Sequence, residues 1–582
     1  MVRGRGSRNL TKREQWPQQV GVVLLAMAPV LLGAVSVRDS STTQRYFVSA
    51  TYYLLLAAMV CWVGTYLHAA RDTSRAAVAA WLKENWPGVV IALLVTAVAA
   101  MAIAPALRML SDEANLIGTS KNFFASRTAT FTVSGKNYYD SYWDIDVGID
   151  RRPTLFPFLL SLVHALLGYS YRNAFVLNLL ILPAFLLVAY RLAKSLGGET
   201  FGVVAALLVV AHPITLLTVR SGGFDFLAAF FGLLVVKSLH DFCRQQAPAK
   251  LAILWLNLLL FAQIRYETAL FIPVVMVVLL LFKMVTWSTL RPYAFVYAIS
   301  PAFLLPRIWQ SILRGNIPEQ EPGTVTLSLD NFLKNAAEYF RPLWSPSDSY
   351  PAHFTILIAA GVLGTAMWLA WLVARVRERA WTLPRLRFGV FAAAWIGAQA
   401  VISFTYFWGQ AHYPSAARLL IALDTFFSFA AAWVVTFALE RWRPFAPVLL
   451  ASALLVTQLP IASQHRFLNR LTQTRESATT WRFFERLGEK RILIVTDRPN
   501  HFTIMDYGAM SFEAARRDPY IFTAFARHLF YDIYVIQQVE LSTGQPRPGY
   551  ELWPNRKLEP VLEFQNDADV LVRVSRLAHR DF

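Results

Sequence analysis

The chain has 582 residues, 56% hydrophobic and only 16% charged, and its mean hydropathy of +0.41 marks more apolar surface than one soluble core of this size can hide. A soluble enzyme is excluded, and 18 Trp, 22 Tyr and 41 Phe fit the aromatic belts of a bilayer protein rather than a disordered, fibrous or disulfide-scaffold chain. The formal charge of +18 does not indicate nucleic acid, because the cations lie mostly in short loops between apolar runs. Cys61 and Cys243 are far apart and set in or beside apolar segments, which reads as two small buried hydrophobes rather than a metal cluster or a disulfide.

Roughly 20 apolar residues cross ~30 Å of hydrocarbon as a helix, and about thirteen segments approach that length. They lie near 20–37, 47–68, 88–107, 173–192, 201–219, 225–240, 251–265, 269–286, 292–310, 353–375, 388–407, 418–438 and 444–461. A basic segment, 1–19, carries Arg3, Arg5, Arg8, Lys12 and Arg13 with no small-residue cleavage signal, so the first helix is expected to be retained with a cytoplasmic N-terminus. That orientation puts Arg71, Arg75 and Lys83, then Arg244 and Lys250, then Arg375, Arg377, Arg379, Arg385 and Arg387 in cytoplasmic loops, as the positive-inside rule asks. The apolar run Thr154–Gly168 would break the alternation if it crossed, so it is expected to lie on the surface or re-enter. Two large extracytoplasmic loops remain, near 108–172 and 311–352, and the C-terminus falls outside. From 462 to 582 the composition becomes that of a soluble α/β domain, with strand-like runs at Ile492–Val495, Asp532–Ile536 and Val570–Val574 and helical patterns at Ser511–Arg517 and Tyr520–His528.

Four places concentrate chemistry at the outer membrane boundary. Ser111-Asp112-Glu113-Ala114 opens the first large loop; a partly desolvated carboxylate there has raised proton affinity and serves as general base on a hydroxyl, although the same tetrapeptide resembles a helix N-terminus. The loop continues through Tyr138, Tyr139, Asp140, Tyr142, Trp143, Asp144, Asp146 and Asp150 to Arg151-Arg152-Pro153, a mixture of aromatic faces and carboxylates that suits a sugar. Asp225 follows His212-Pro213 and Arg220-Ser221-Gly222-Gly223-Phe224, either as a site acid or as the helix-boundary partner of Arg220. Arg265-Tyr266-Glu267 sits between two short apolar runs and is expected to face a polar cavity. Trp408-Gly409-Gln410-Ala411-His412-Tyr413 leads to Arg418, whose guanidinium suits a phosphate unless it merely snorkels. The sequence carries no phosphate-binding glycine loop, dinucleotide fingerprint, HExxH or Gly-x-Ser-x-Gly, and no cytoplasmic segment long enough to use a nucleotide donor, so an activated donor is expected to arrive through the membrane.

The order of these features resembles the polyprenol-phosphate-sugar-dependent glycosyltransferases of the GT-C fold, in the branch of the protein mannosyltransferases and the lipid A aminoarabinose transferase. The matching pieces are Ser111–Ala114, Arg152–Gly168, Arg172 into the next helix, His212-Pro213 to Asp225, and Arg265–Glu267, with the Arg418 helix a looser match. The resemblance implies a GT-C-like transmembrane domain over 20–461 in a polytopic helical protein of the plasma (inner) membrane. It implies Asp112 as catalytic base with Glu113 beside it and Asp225 as a second acid. Arg265, Arg418 and Arg152 become candidates for the lipid-linked phosphate, and Tyr139, Trp143 and His412 for the sugar or acceptor. A polyprenyl-phosphate-linked sugar would be donor, and an extracytoplasmic lipid, glycan or protein acceptor. No cofactor is implied with certainty, although Asp112, Glu113 and Asp225 could converge on a divalent cation. A lipid or polysaccharide transporter is the alternative reading, but the sequence shows none of the duplicated halves such proteins often carry. A scaffold whose C-terminal domain binds a partner is the third.

Overall fold

The computed structural model describes residues 28, 31 and 39–578, apart from 109, 139–140, 315–325, 346–354, 379–382, 412–413, 440–444, 464–471, 519, 530 and 554. The basic segment 1–19, the apolar run 20–37 apart from residues 28 and 31, Tyr139 and His412 therefore lie outside the described residues.

The first long helices described are α1 (Ser40–Ala70) and α2 (Arg75–Ala102), each started by a side-chain cap, Asp39 accepting from the Thr42 amide at 2.7 Å and Ser74 from the Ala77 amide at 3.1 Å. The first large loop then folds into α3 (Leu110–Ala125), the hairpin β1 (Phe131–Tyr138) and β2 (Ser141–Gly148), and α4 (Leu155–Leu167). Next come α5 (Asn173–Gly197), α6 (Glu199–Ala211), α7 (Pro213–Val219), α8 (Asp225–Arg244), α9 (Pro248–Phe261) and α10 (Phe271–Leu281). After a broken stretch follow α11 (Leu305–Arg314), α12 (Leu329–Phe340), α13 (Thr355–Arg377), α14 (Pro384–Thr405), α15 (Ile421–Leu439) and α16 (Ala446–Ser463).

Among the described residues seven helices are long and apolar enough to cross a membrane: α1, α2, α5, α8, α13, α14, and α15 taken with the tight turn Arg418–Leu420 that begins it. The expected count of about thirteen is not confirmed among the described residues, for local reasons. Pro213 follows His212, whose backbone is extended, and divides the run 201–219 into α6 and α7. The run 292–310 carries Pro292, Pro301 and Pro306 and breaks into short turns and helices. α9, α10 and α16 are apolar but short, and α4, at 13 residues, rises only ~20 Å, too little to span. Small residues let the bundle close: α13 packs along α15, and a Cβ on Gly364 would collide with the Ala430 carbonyl. Cys243 is buried, Cys61 half-buried, and both are free.

The C-terminal region comprises α17 (Thr472–Leu487), β3 (Ile492–Val495), α18 (Asn500–Thr503), β4 (Gly508–Met510), α19 (Phe512–Arg517), α20 (Ile521–Ala526), β5 (Asp532–Glu540), β6 (Leu558–Asp567) and β7 (Val570–Leu577). Its sheet does not stop at residue 462. The order is β2-β1-β4-β3-β5-β7-β6, so the hairpin from the first large loop extends the C-terminal strands into one seven-stranded sheet. β3 pairs in parallel with β4 and β5, the other neighbours are antiparallel, and Gly135 of β1 faces Ala509 of β4. The central strand ILIV is buried on both faces, which explains its unbroken apolar run. Leu493 and Val495 join Ile533, Val535 and Phe512, while Ile492 and Ile494 join Phe484, Phe502 and Tyr534 on the other side.

This region rests on α3. The Asn500 amide donates to Asn115 Oδ1 at 2.6 Å, Lys121 Nζ donates to the Thr503 carbonyl at 3.0 Å and pairs with Asp506 at 2.7 Å, and the Tyr169 hydroxyl donates to the Ile504 carbonyl at 2.6 Å.

Glu476 of α17 has its carboxyl pushed up to about 7, first by burial, with Arg498 opposing and Asp497 adding to the shift. Its Oε2 accepts from Gln538 and Asn566, both at 3.1 Å. A carboxyl raised on folding stabilises the fold while protonated, so stability is full below the unfolded value near 4.5 and falls as pH rises through about 7. Glu476→Gln keeps the acceptor oxygen and removes the charge. It is expected to raise the thermal midpoint at pH 8 and flatten its pH dependence between pH 4.5 and 7, an effect of up to ~3 kcal/mol; parallel pH profiles for the two proteins would refute it.

Candidate active site

The charged residues found in four separate stretches of sequence meet at one end of the helix bundle. Asp112, in the first turn of α3, accepts from Arg152 through Oδ1 and from Arg418 through Oδ2. Arg418 also donates to Asp225 Oδ2 at 3.1 Å, and Asp225 Oδ1 accepts from Arg265, which in turn pairs with Glu267. Arg152 donates to Asp150 Oδ1 at 2.7 Å, so the chain of ion pairs runs Asp150, Arg152, Asp112, Arg418, Asp225, Arg265, Glu267. Asp225 does not pair with Arg220, which donates instead to the Ile103 carbonyl at 3.0 Å. Arg265 and Glu267 are partners, and the same guanidinium also serves the site acid Asp225.

Helix ends and turns set these positions. Asp225 is the first residue of α8, Arg418 opens the turn before α15, and Arg265 lies in the turn where α9 ends. α11 braces two of the segments: Gln310 donates to the carbonyl oxygens of Asp150, at 2.9 Å, and Arg152, and Arg307 donates to the Tyr266 carbonyl at 3.1 Å. The Phe224 ring lies 5.1 Å from the Arg265 guanidinium carbon, an apolar wall that strengthens the charges it borders.

The two carboxylates of the tetrapeptide divide their work. Glu113 is 1% exposed and accepts the backbone N–H groups of Arg108 and, at 2.9 Å, Gly222. It ties the start of α3 to the loop before α8, where a Cβ on Gly222 would lie 2.6 Å from the Leu107 side-chain tip, a close approach that glycine allows without moving Leu107. Asp112 makes no such contact with the backbone; its side chain is 16% exposed, against 3% for Asp225. Burial opposes ionisation of Asp112, but the guanidiniums of Arg418 and Arg152 outweigh it and hold the carboxyl below its ordinary value. Asp150 goes the other way, burial raising its carboxyl despite Arg152.

Trp143 stands on the exposed edge strand β2 rather than in the ion-pair chain. His212, part of the motif around Asp225, lies buried 3.9 Å from Asp424, which accepts from the Tyr339 hydroxyl at 2.7 Å. Sequence reading named Asp150 only within the aromatic and acidic run suited to a sugar, not as the partner of Arg152, and Gln310 carried no signal at all. Among the described residues no group of three or more His, Cys, Asp or Glu side chains is placed to hold a metal ion. The carboxylates considered for a divalent cation face guanidinium groups or backbone amides, so no step is routed through a metal.

No family model matches the chain, and no curated protein matches it. Solved structures do. The chain superposes on ArnT from Cupriavidus metallidurans bound to undecaprenyl phosphate with a TM-score of 0.51 at 13% identity, covering 84% of this chain and 97% of that one. Against the apo state of the same protein the TM-score is again 0.51, at 14% identity, with 86% and 98% covered. The protein thus has the GT-C fold, a helical membrane architecture carrying a sheet-containing region at its C-terminal end.

Proposed function

We propose that the protein is an inverting membrane glycosyltransferase that moves a sugar from a polyprenyl-phosphate donor to a hydroxyl of a lipid, glycan or protein acceptor. The observation that carries this reading is Asp112, more exposed than Asp150 and Asp225 and held between two guanidiniums, those of Arg152 and Arg418, at the end of an apolar helix bundle. That the similar ArnT structure is bound to undecaprenyl phosphate supports a lipid phosphate as the donor's leaving group.

The roles follow from the charges. Three guanidiniums face the four carboxylates Asp112, Asp150, Asp225 and Glu267, and Asp150, raised by burial, is the carboxyl suited to hold a proton. A donor phosphate competes with Asp112 for Arg152 and Arg418. As those arginines turn to the phosphate, Asp112 loses the partners that depress its proton affinity, and it becomes a stronger base when the acceptor arrives. The acceptor oxygen then bonds to the anomeric carbon, its proton passes to Asp112, and the carbon–oxygen bond to the phosphate breaks. Polyprenyl phosphate leaves with its charge stabilised by Arg418, Arg265 and Arg152. Asp225 aligns Arg265 and Arg418, Glu113 fixes the start of α3, and Tyr139, Trp143 and His412 serve sugar or acceptor. Purified protein given a polyprenyl-phosphate sugar is expected to release polyprenyl phosphate and glycosylate an added acceptor fraction. Movement of intact donor between vesicle leaflets without sugar transfer would favour the transporter.

We place the protein in the plasma (inner) membrane with the N-terminus cytoplasmic and residues 462–582 outside. A cysteine introduced at Ser542 is expected to react with an impermeant reagent on intact cells, and one at Arg377 only after lysis; the reverse pattern overturns the orientation.

A further inference from the structure

A second charged end lies at the opposite face of the bundle. An apolar cavity of 390 Å³ runs between α5, α8, α13, α14 and α15, from Ala228, Gln399 and Ala422 to Trp371, Phe388 and Arg385. Its size falls within the ~300–1,000 Å³ range of ligand pockets. At Trp371 and Arg385 it meets a second pocket, of 540 Å³, lined by Ser195, His240, Arg244, Trp371, Arg375, Leu383, Pro384 and Arg385. Among the described residues no carboxylate lines that pocket, although Arg375 also pairs with Glu378 at its edge at 2.7 Å. Arg244 ends α8 and Asp225 begins it, so at 1.5 Å per residue the arginine pocket lies ~28 Å from the catalytic row, close to a full hydrocarbon thickness.

An apolar chamber that opens between arginines at the edge of the bilayer matches one kind of molecule, an anionic head on a hydrocarbon chain. We propose that this pocket binds an anionic phospholipid of the leaflet opposite the active site. Its phosphate sits among Arg244, Arg375 and Arg385, and an acyl chain enters the cavity past Trp371 and Phe388. The lipid fills space between α8, α13, α14 and α15, which carry or adjoin Asp225 and Arg418, so its occupancy supports the site from below. Binding of an anionic lipid head here stands on the two pockets alone, whereas the choice of a phospholipid over a polyprenyl phosphate rests on the glycosyltransferase reading. A polyprenyl phosphate shares the same chemistry, and charge complementarity alone favours the phospholipid no more than it; the location favours the bilayer lipid, because the row around Arg418 already offers the polyprenyl phosphate three guanidiniums.

Native mass spectrometry of delipidated full-length protein tests this with three probes: phosphatidylglycerol, phosphatidylcholine of the same chains, and undecaprenyl phosphate. Phosphatidylglycerol is expected to bind the wild type, and about tenfold or more weaker to the double variant Arg244→Gln/Arg385→Gln, two cations near the surface. Arg244→Lys/Arg385→Lys should keep most of the binding. Ala392→Trp, which fills the cavity, should weaken phosphatidylglycerol without touching the arginines. Phosphatidylcholine should bind weakly and equally to all. Arg244 and Arg385 are exposed, so the glutamine variant should keep its thermal midpoint in detergent. Equal phosphatidylglycerol binding by wild type and the glutamine variant overturns the proposal. So does loss of undecaprenyl phosphate, rather than phosphatidylglycerol, in that variant, which would make the pocket part of a donor path.

Discussion

Asp112→Asn is expected to lower turnover by at least ~10²-fold, the scale of general-base catalysis, while donor binding is kept or tightened. The reason lies in what the carboxylate does before donor arrives. In the free protein it occupies Arg152 and Arg418, so an amide in its place, with no charge to offer them, leaves both guanidiniums more available to a phosphate. Loss of the base and gain of phosphate affinity therefore appear together, as a fall in kcat without a rise in donor KM. A residue that only started α3 would show the opposite, a loss of thermal stability with turnover close to normal. The pH profile adds a second reading. Because the arginines hold Asp112 below its ordinary value, kcat/KM, which reports the free protein, should stay flat down to below the usual carboxylate range and fall only there as the base takes up a proton. An acid limb near neutrality would assign the base to another group.

The membrane class was legible because hydrophobic runs and loop cations follow directly from composition, and the α/β character after residue 462 because β3, β5 and β7 carry uninterrupted apolar or alternating runs. Prolines in 201–219 and 292–310, and the ends of α9 and α10, were the features that hydropathy alone overrode, since a window average does not register a lost donor. The partner of the hairpin could not be read at all. β1 and β2 are polar and aromatic, and their neighbour β4 lies more than 350 residues further on, a pairing that leaves no local trace. At the site, residue types were informative and partners were not. Asp112, Asp225, Arg265 and Arg418 announced themselves as charges beside apolar helices, but whether Asp225 would answer Arg220 or Arg265 depends on how α8 and α9 meet. Glu113 shows the limit most clearly: it stands beside Asp112 in sequence yet turns to the backbone of Arg108 and Gly222.

Arg418 is expected to be the most damaging of the arginines to lose, because it is the only one that joins Asp112 to Asp225. Arg418→Gln leaves each carboxylate with a single guanidinium in a poorly hydrated place, and breaking such a buried pair costs about 3–5 kcal/mol. If the residue also binds the leaving phosphate, turnover should fall by ~10²–10³-fold, the usual cost of removing one donor aimed at developing charge. Stability and catalysis can be separated by repairing only the first. Asp225→Asn in the Arg418→Gln background removes the carboxylate left short of a partner, so the thermal midpoint should recover most of its loss. Stabilisation of the protein by added polyprenyl phosphate should not recover, and neither should turnover. Arg418→Lys should lie between, holding the charge and much of the stability but losing the planar fork that spans two carboxylates, or a carboxylate and a phosphate, at once. If the double variant regains both its midpoint and its response to polyprenyl phosphate, Arg418 is a structural tie for Asp225. The leaving group would then belong to Arg152 and Arg265, the two guanidiniums at either end of the row.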